Sequence, residues 1–261
     1  MILPHLAVRA LSASVQCPVV LDGRISQNFT LENFDTNVSP YNPGFTKGSD
    51  PWSKIILFPT VPTPSRFDAA APAENPQLGF RRAGLLLGNG SDASNQGVMT
   101  FHWSAMQDSA RKLNLTHEYL TSFHETNDSG GAQFALQVGL PLGQNGTEPP
   151  KENWKMLDRN NSVVFTTPLK FDTWQNWAVT LDVPQNTMQV FFSEGNEPLK
   201  AVTKVLPNNN AGGGALQIGM LKKPTETKTV ANDGFQESNL SEGQILGGIF
   251  VENSANGCIS L

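Results

Sequence analysis

The segment "TLDVPQNTMQVFF" (residues 180–192) places an apolar residue at every second position on both sides of Pro184, Gln185 and Asn186. Successive side chains on a strand point to opposite faces, so this alternation reads as two half-buried strands. Proline and asparagine between them supply turn chemistry, and the whole reads as a β-hairpin. The same period recurs outward along the chain, in short runs bounded by Gly, Pro, Asn and Asp. Residues 79–87, 97–105, 117–125, 132–140, 176–183, 187–193, 214–221 and 243–253 read as strands. Helical periodicity is hard to find, which predicts an all-β fold: a β-jelly-roll sandwich of concanavalin-like two-sheet architecture with long loops. The Pro-rich stretch 59–76 reads as one long surface loop, and no internal repeat is visible.

At 261 residues the chain fits one such sandwich, with residues 17–261 as a single jelly-roll domain. Residues 1–16 read as a signal-like segment or an expression remnant, because Pro4, His5 and Arg9 break the apolar run. With 18 Lys+Arg against 23 Asp+Glu and no run of five like charges, neither nucleic acid nor an anionic membrane is the expected partner. No stretch approaches eighteen uninterrupted apolar residues. Cys17 and Cys258 would tie the termini together if they pair, worth about 5 kcal/mol in the chain-entropy account; two free thiols are the alternative. Sequons at Asn28, Asn37, Asn89, Asn114, Asn127, Asn145, Asn160 and Asn239 fit an exported, extracellular glycoprotein, where a disulfide is also permitted.

Alternation assigns faces. Phe134, Leu136 and Val138 point to the core and leave Gln133, Ala135 and Gln137 opposite. Met99, Phe101 and Trp103 point inward and turn His102 and Ser104 out; Ala83, Leu85 and Leu87 do the same for Arg82 and Gly84. In 117–125 the rule sends Tyr119, Thr121 and Phe123 to the core and Glu118, Leu120, Ser122 and His124 to the other face. The polar face then collects Arg82, His102, Ser104, Glu118, His124, Gln133 and Gln137. Such a face is either solvated or, with this mixture of donors and acceptors, a cleft for a hydroxyl-rich ligand.

The doubled His-Glu at His117-Glu118 and His124-Glu125 is no zinc motif, since that chemistry needs two histidines four apart on a helix. Nor are Glu118 and Glu125 an acid/base pair. Seven residues of strand span roughly 23 Å, against the 5–9.5 Å typical of glycosidase carboxyls. The face assignment favours Glu118, with its partner on a neighbouring strand or loop. No P-loop, dinucleotide fingerprint or nucleophile elbow is present, and no cofactor or metal is expected. Trp52 and Trp174 fall at strand edges, where each is a core or rim residue or a platform for a sugar ring.

Several long blocks, "VVLDGRI" (19–25), "PWSKIILFP" (51–59), "GFRRAG" (79–84), "LNLTHEYLTSFHE" (113–125), "LDRNNSVVFTTP" (157–168), "WQNWAVTLD" (174–182) and "GFQESNLSEGQILGGIFVE" (234–252), resemble the catalytic domain of fungal glycoside hydrolase family 131. The resemblance implies a secreted β-glucanase on a jelly roll, inverting, metal-independent and acting on β-1,3, β-1,6 and β-1,4 glucans. It also implies a glutamate in many relatives where this chain has Gly84. The expected reaction uses Glu118 and a second group, Glu237 or Asp158. Arg82, His102, His124, Gln133 and Gln137 are the expected contacts to β-glucan hydroxyls, and the protein is expected to act as a monomer. A non-catalytic glucan-binding protein on the same fold is the alternative, favoured by Gly84. A polysaccharide lyase ranks last, because only Arg81, Arg82 and Lys222-Lys223 offer the basic groove it needs.

Overall fold

The computed structural model describes residues 17–26, 28–45, 49–56, 79–88, 93–143, 149–238 and 240–261. Residues 1–16, the Pro-rich stretch 59–76, and the sequons at Asn89, Asn145 and Asn239 lie outside the described residues. Among the described residues thirteen strands run in chain order: β1 (Val19–Asp22), β2 (Arg81–Leu86), β3 (Val98–Gln107), β4 (Glu118–Glu125), β5 (Ala132–Gly139), β6 (Asn153–Leu157), β7 (Val163–Pro168), β8 (Gln175–Asp182), β9 (Thr187–Glu194), β10 (Lys200–Ala201), β11 (Leu206–Pro207), β12 (Ala215–Lys222) and β13 (Gln244–Asn253). They form two antiparallel sheets. One is ordered β1-β13-β3-β8-β9-β10 with β11 also on β9, and the other β2-β12-β4-β5-β6-β7. The α-helix among the described residues is one turn, Trp52–Ile55.

The hairpin that opened the reading is β8–β9, paired from Gln175 opposite Glu194 to Asp182 opposite Thr187. Asn186 closes the turn at φ 52°, a left-handed backbone that asparagine tolerates. Its side chain accepts from the Asn210 amide at 3.0 Å, so the turn is also tied to the chain that precedes β12.

Between the sheets lies the core expected from alternation. Phe101, Trp103, Phe134, Leu136, Val138, Trp177, Val179, Leu181, Met188 and Val190 are buried there, and Leu216, Ile218 and Val251 join them. Trp103 stacks on Phe134 and Trp177 with ring centres 5.8 and 6.4 Å apart. Burying each such large side chain contributes about 1.5–3 kcal/mol. Trp52, one of the two tryptophans considered for sugar stacking, is only 2 % exposed and belongs to this core. The Asp35 carboxylate accepts from the first two amides of its helical turn, at 2.5 and 3.1 Å. The termini are joined by a Cys17–Cys258 disulfide with Cα atoms 5.8 Å apart.

Alternation fails in β4, and the failure matters for the site. Leu120 pairs with Gln137 on β5, but the next pair is Ser122 with Leu136, so Thr121 is an extra residue in a β-bulge. Side-chain direction therefore inverts beyond it. Ser122 and His124 turn toward the interior, and Phe123 turns out to face Ala135 and Gln217. β12 has its own irregularity between Ile218 and Leu221. The inversion places a second apolar cluster of Phe123, Ala135, Leu157 and Leu221 on the outer face of the six-stranded sheet.

Candidate functional site

The outer face of the six-stranded sheet carries two polar groups separated by that apolar cluster. The first is built around Glu118. It is 6 % exposed and pairs across the sheet with Gly139. Its Oε1 accepts from Gln137 Nε2 at 2.8 Å and Lys223 Nζ at 2.5 Å, and its Oε2 accepts from the Leu142 amide at 2.9 Å. Beside it the fully buried Lys155 donates to the Gly139 and Asn153 carbonyls at 3.0 and 3.3 Å. Burial pushes the Lys155 ammonium down to about 8, against the opposing pull of the Glu118 and Glu152 charges. Glu118 is thus a carboxylate whose donors all come from the protein itself.

The second group was missed by alternation. Glu125, at the end of β4, shares a face with Phe123's neighbour Gln217, whose amide donates to the Glu125 carboxylate. Arg82 pairs with Leu221, yet its Nη2 reaches Gln217 Oε1 at 3.2 Å, so its side chain extends along the sheet past Gly84. Burial pushes the Arg82 guanidinium down while the Glu125 charge opposes the shift. Between these groups, Gly84 pairs with Gly219, leaving a row of bare backbone. A Cβ at Gly84 would meet nothing within 4 Å. Arg82, Gly84, Leu120 and Glu125 are all half-buried, and they form the accessible strip of this face. The signal for Glu125 was in the sequence only as the polar end of the strand; the bulge that turns it onto this face has no glycine or proline to mark it.

The other expected site residues scatter. His102 lies on β3, in the other sheet, where it stacks on Phe250 with ring centres 4.3 Å apart and meets Glu252 at 2.9 Å. Burial would raise the Glu252 carboxyl, but the bonds from His102 and Ser260 hold it below the ordinary range. This network fastens the chain end, and Ser104 shares its sheet. His124 points into the core, with its ring 4.8 Å from that of Phe101 and Nδ1 2.8 Å from Gln133 Oε1. Gln133 is itself buried and donates to the Gly213 and Ala211 carbonyls at 2.6 and 3.4 Å. Of the five expected sugar contacts, Arg82 and Gln137 lie on the outer face, and Gln137 is spent on Glu118.

Neither expected partner carboxylate shares a donor with Glu118. Asp158 caps the β6–β7 turn, accepting from the Asn160 and Ser162 amides at 2.8 Å each. Gly139 lies opposite Glu118 and Leu157 opposite Ala135. Asp158 is therefore about five residues farther along the sheet, roughly 17 Å. Glu237 lies by Lys222, whose Nζ is 2.7 Å away and sits 5.6 Å from the Tyr119 ring centre, on the side of the sheet opposite Glu118. Asn114 and His117 also contact Glu237, and Lys222 reaches Glu242 at 2.9 Å. Burial would raise the Glu237 carboxyl, but the Lys222 bond and the nearby charges bring it to about 2. Among the described residues no three His, Cys, Asp or Glu side chains are placed to hold a metal ion.

Two facing antiparallel sheets with a polar strip on the outside of one make a β-sandwich. The family model for the glycoside hydrolase 131 catalytic N-terminal domain matches residues 19–257, and the chain belongs to that family. Two solved structures share the fold. The family 131 catalytic domain from Coprinopsis cinerea is 17 % identical, with a TM-score of 0.65 over 90 % of this chain and 94 % of that one. The family 131 β-glucanase catalytic domain from Podospora anserina is 19 % identical, with a TM-score of 0.68 over 90 % and 95 %. A search of curated protein sequences gives no match.

Proposed function

We propose that the chain is a secreted hydrolase of β-glucans, cleaving β-1,3, β-1,6 and β-1,4 linkages with inversion, and that its substrate lies along the outer face of the six-stranded sheet. The observation that carries this reading is Glu125, a half-buried carboxylate bonded by Gln217, with Arg82 reaching the same Gln217 and the Gly84–Gly219 pair two residues farther along β12 from Gln217. A sugar ring set on the glycine pair has Arg82 and Gln217 as its nearest polar side chains, and Glu125 lies beyond Gln217 along β12. We read Glu125 as one of the two groups that inversion needs, either activating water or protonating the leaving oxygen while a second group does the other. Glu118, sheathed by protein donors and about 20 Å away along the strand, keeps the fold and charge of the face rather than sharing one acid/base pair with Glu125. Export is supported by the disulfide and by exposed sequons at Asn28, Asn37, Asn127 and Asn160.

A second reading, glucan binding without turnover, is favoured by Gly84, where the family resemblance implies a carboxylate and this chain has open space. Both readings are separated by incubating the protein with laminarin, pustulan and cello-oligosaccharides and measuring reducing ends. Release by the wild type that is lost in Glu125→Gln supports hydrolysis at this strip. Retained glucan pull-down with no release from the wild type supports the binding reading, and release that survives in Glu125→Gln removes Glu125 from the chemistry.

A further inference from the structure

Trp174 is not used by the site above, and its surroundings are unlike those of the four other tryptophans, which are all buried. It is half-exposed immediately before β8, a strand of the seven-stranded sheet. There β13 departs from regular pairing with β3 between Gly247 and Phe250, and Gly248 takes a left-handed backbone with φ 60°. The six-membered ring of Trp174 lies over Gly247, where a Cβ would sit 3.5 Å from Cη2 and 3.9 Å from Cζ3, while a Cβ on Gly248 would meet Ser104 Oγ at 3.4 Å. Gly247 is opposite Ser104, whose side chain faces away from the core, so Trp174 lies on the outer surface of this sheet. Next to it Ser104 Oγ donates to Asn176 Oδ1 at 2.8 Å, and Asn176 Nδ2 donates to Ser193 Oγ and the Gly195 carbonyl at 3.0 Å each.

We infer that Trp174, with the Gly247-Gly248 bulge and the Ser104–Asn176–Ser193 row, is a second binding surface for a neutral β-glucan chain, on the face of the sandwich opposite the proposed hydrolytic strip. Three features select that ligand class. The patch is an aromatic ring beside hydroxyl and amide groups, the combination that matches a pyranose, with one apolar face and an equatorial rim of hydroxyls. The named side chains carry no formal charge, since Ser104, Asn176 and Ser193 are neutral, and Glu194 on the neighbouring β9 is paired with Lys170 at 2.5 Å. A neutral polymer suits such a patch better than a nucleic acid or another charged polymer. Finally, glycine at 247 leaves out the side chain that would otherwise cover the ring. Hydroxyls and amides in the row are already mutually bonded, so they are held in place before the ligand arrives.

This inference rests on the glucan reading given above, and its consequence is that binding to polymer and turnover of short substrate separate. The test is co-sedimentation with insoluble β-1,3-glucan alongside reducing-end release from a soluble oligosaccharide, for the wild type, Trp174→Ala and Gly247→Leu. The first variant removes the ring and the second covers it, at a position where the new Cβ makes ordinary contact. Expected is a loss of polymer affinity of fivefold or more in both variants, with oligosaccharide turnover and melting temperature of Gly247→Leu unchanged. Polymer binding equal to wild type in either folded variant overturns the second surface and leaves the proposed function standing. A wild type that neither sediments with glucan nor cleaves it overturns both.

Discussion

Glu118→Gln tests whether the carboxylate that stands out in the sequence is a reacting group or a buttress. The side chain is 6 % exposed and accepts from Lys223 Nζ, Gln137 Nε2 and the Leu142 amide at 2.5, 2.8 and 2.9 Å. A glutamine keeps one acceptor oxygen and turns an NH2 group toward donors, so at least one of these bonds becomes a donor facing a donor. Hydrogen bonds to a charged group are worth about 1.5–3 kcal/mol each, and breaking one side of a buried pair costs about 3–5 kcal/mol. The Lys223 side chain is 25 % exposed, so water softens its loss and the lower part of that range applies. The expected cost is about 2–4 kcal/mol, which at about 2–4 °C per kcal/mol for a chain of this size lowers the melting temperature by roughly 5–15 °C. Glu125→Gln, at a half-buried position beside Gln217, is expected to melt within about 3 °C of wild type. Thermal denaturation and reducing-end release are measured on both. If Glu118→Gln melts within about 2 °C of wild type while its turnover falls, the carboxylate is not a buttress and the division of roles drawn here is wrong.

Glu237 has a folded pKa of about 2 against 4.5, so it contributes stability above pH 4.5 that is lost as the pH falls toward 2. Glu237→Gln should remove at most about 3 kcal/mol of acid sensitivity, read as a flatter melting profile over that window. Lys155 has the opposite sign: its folded pKa of about 8 lies below the ordinary 10.5, so the unfolded chain holds the extra proton and stability rises between pH 8 and 10.5. Lys155→Met should abolish that rise in urea titrations, and a rise that persists refutes the assignment. Reducing Cys17–Cys258, or replacing both with serine, should cost about 2–5 kcal/mol in the chain-entropy account, measured by denaturant melts with and without reductant.

The fold was legible because its signal is redundant. Each of the eight runs read as strands alternates over several residues, and β2, β3, β4, β5, β8, β9, β12 and β13 fall on them within two residues at either end. β6 and β7 were not read, for a physical reason. "NWKML" carries Lys155, which reads as solvated, yet that ammonium is buried by donating to two carbonyls. β7 pairs on one side only, and its edge position leaves Val163 41 % exposed, so its period is blurred.

The site was legible only up to Thr121. Glu118 was placed on the outer face correctly because it precedes the bulge; Phe123, His124 and Glu125 follow it, and one inserted residue moves every later side chain to the other face. A single-residue bulge in an antiparallel pair depends on the partner strand as much as on its own sequence, and here β5 continues regularly through Leu136 while β4 does not. The same logic separates His102 from Arg82. Both sit on polar faces by parity, but parity does not say which of two sheets a strand joins, and β3 and β2 went to different ones. Sheet membership comes from long-range pairing, so a polar face assembled from alternation alone mixes the two outer surfaces of a sandwich. Here the mixing hid a simpler arrangement, in which one surface carries Arg82, Gln217 and Glu125 around a bare glycine row and the other carries Trp174 across a bulge.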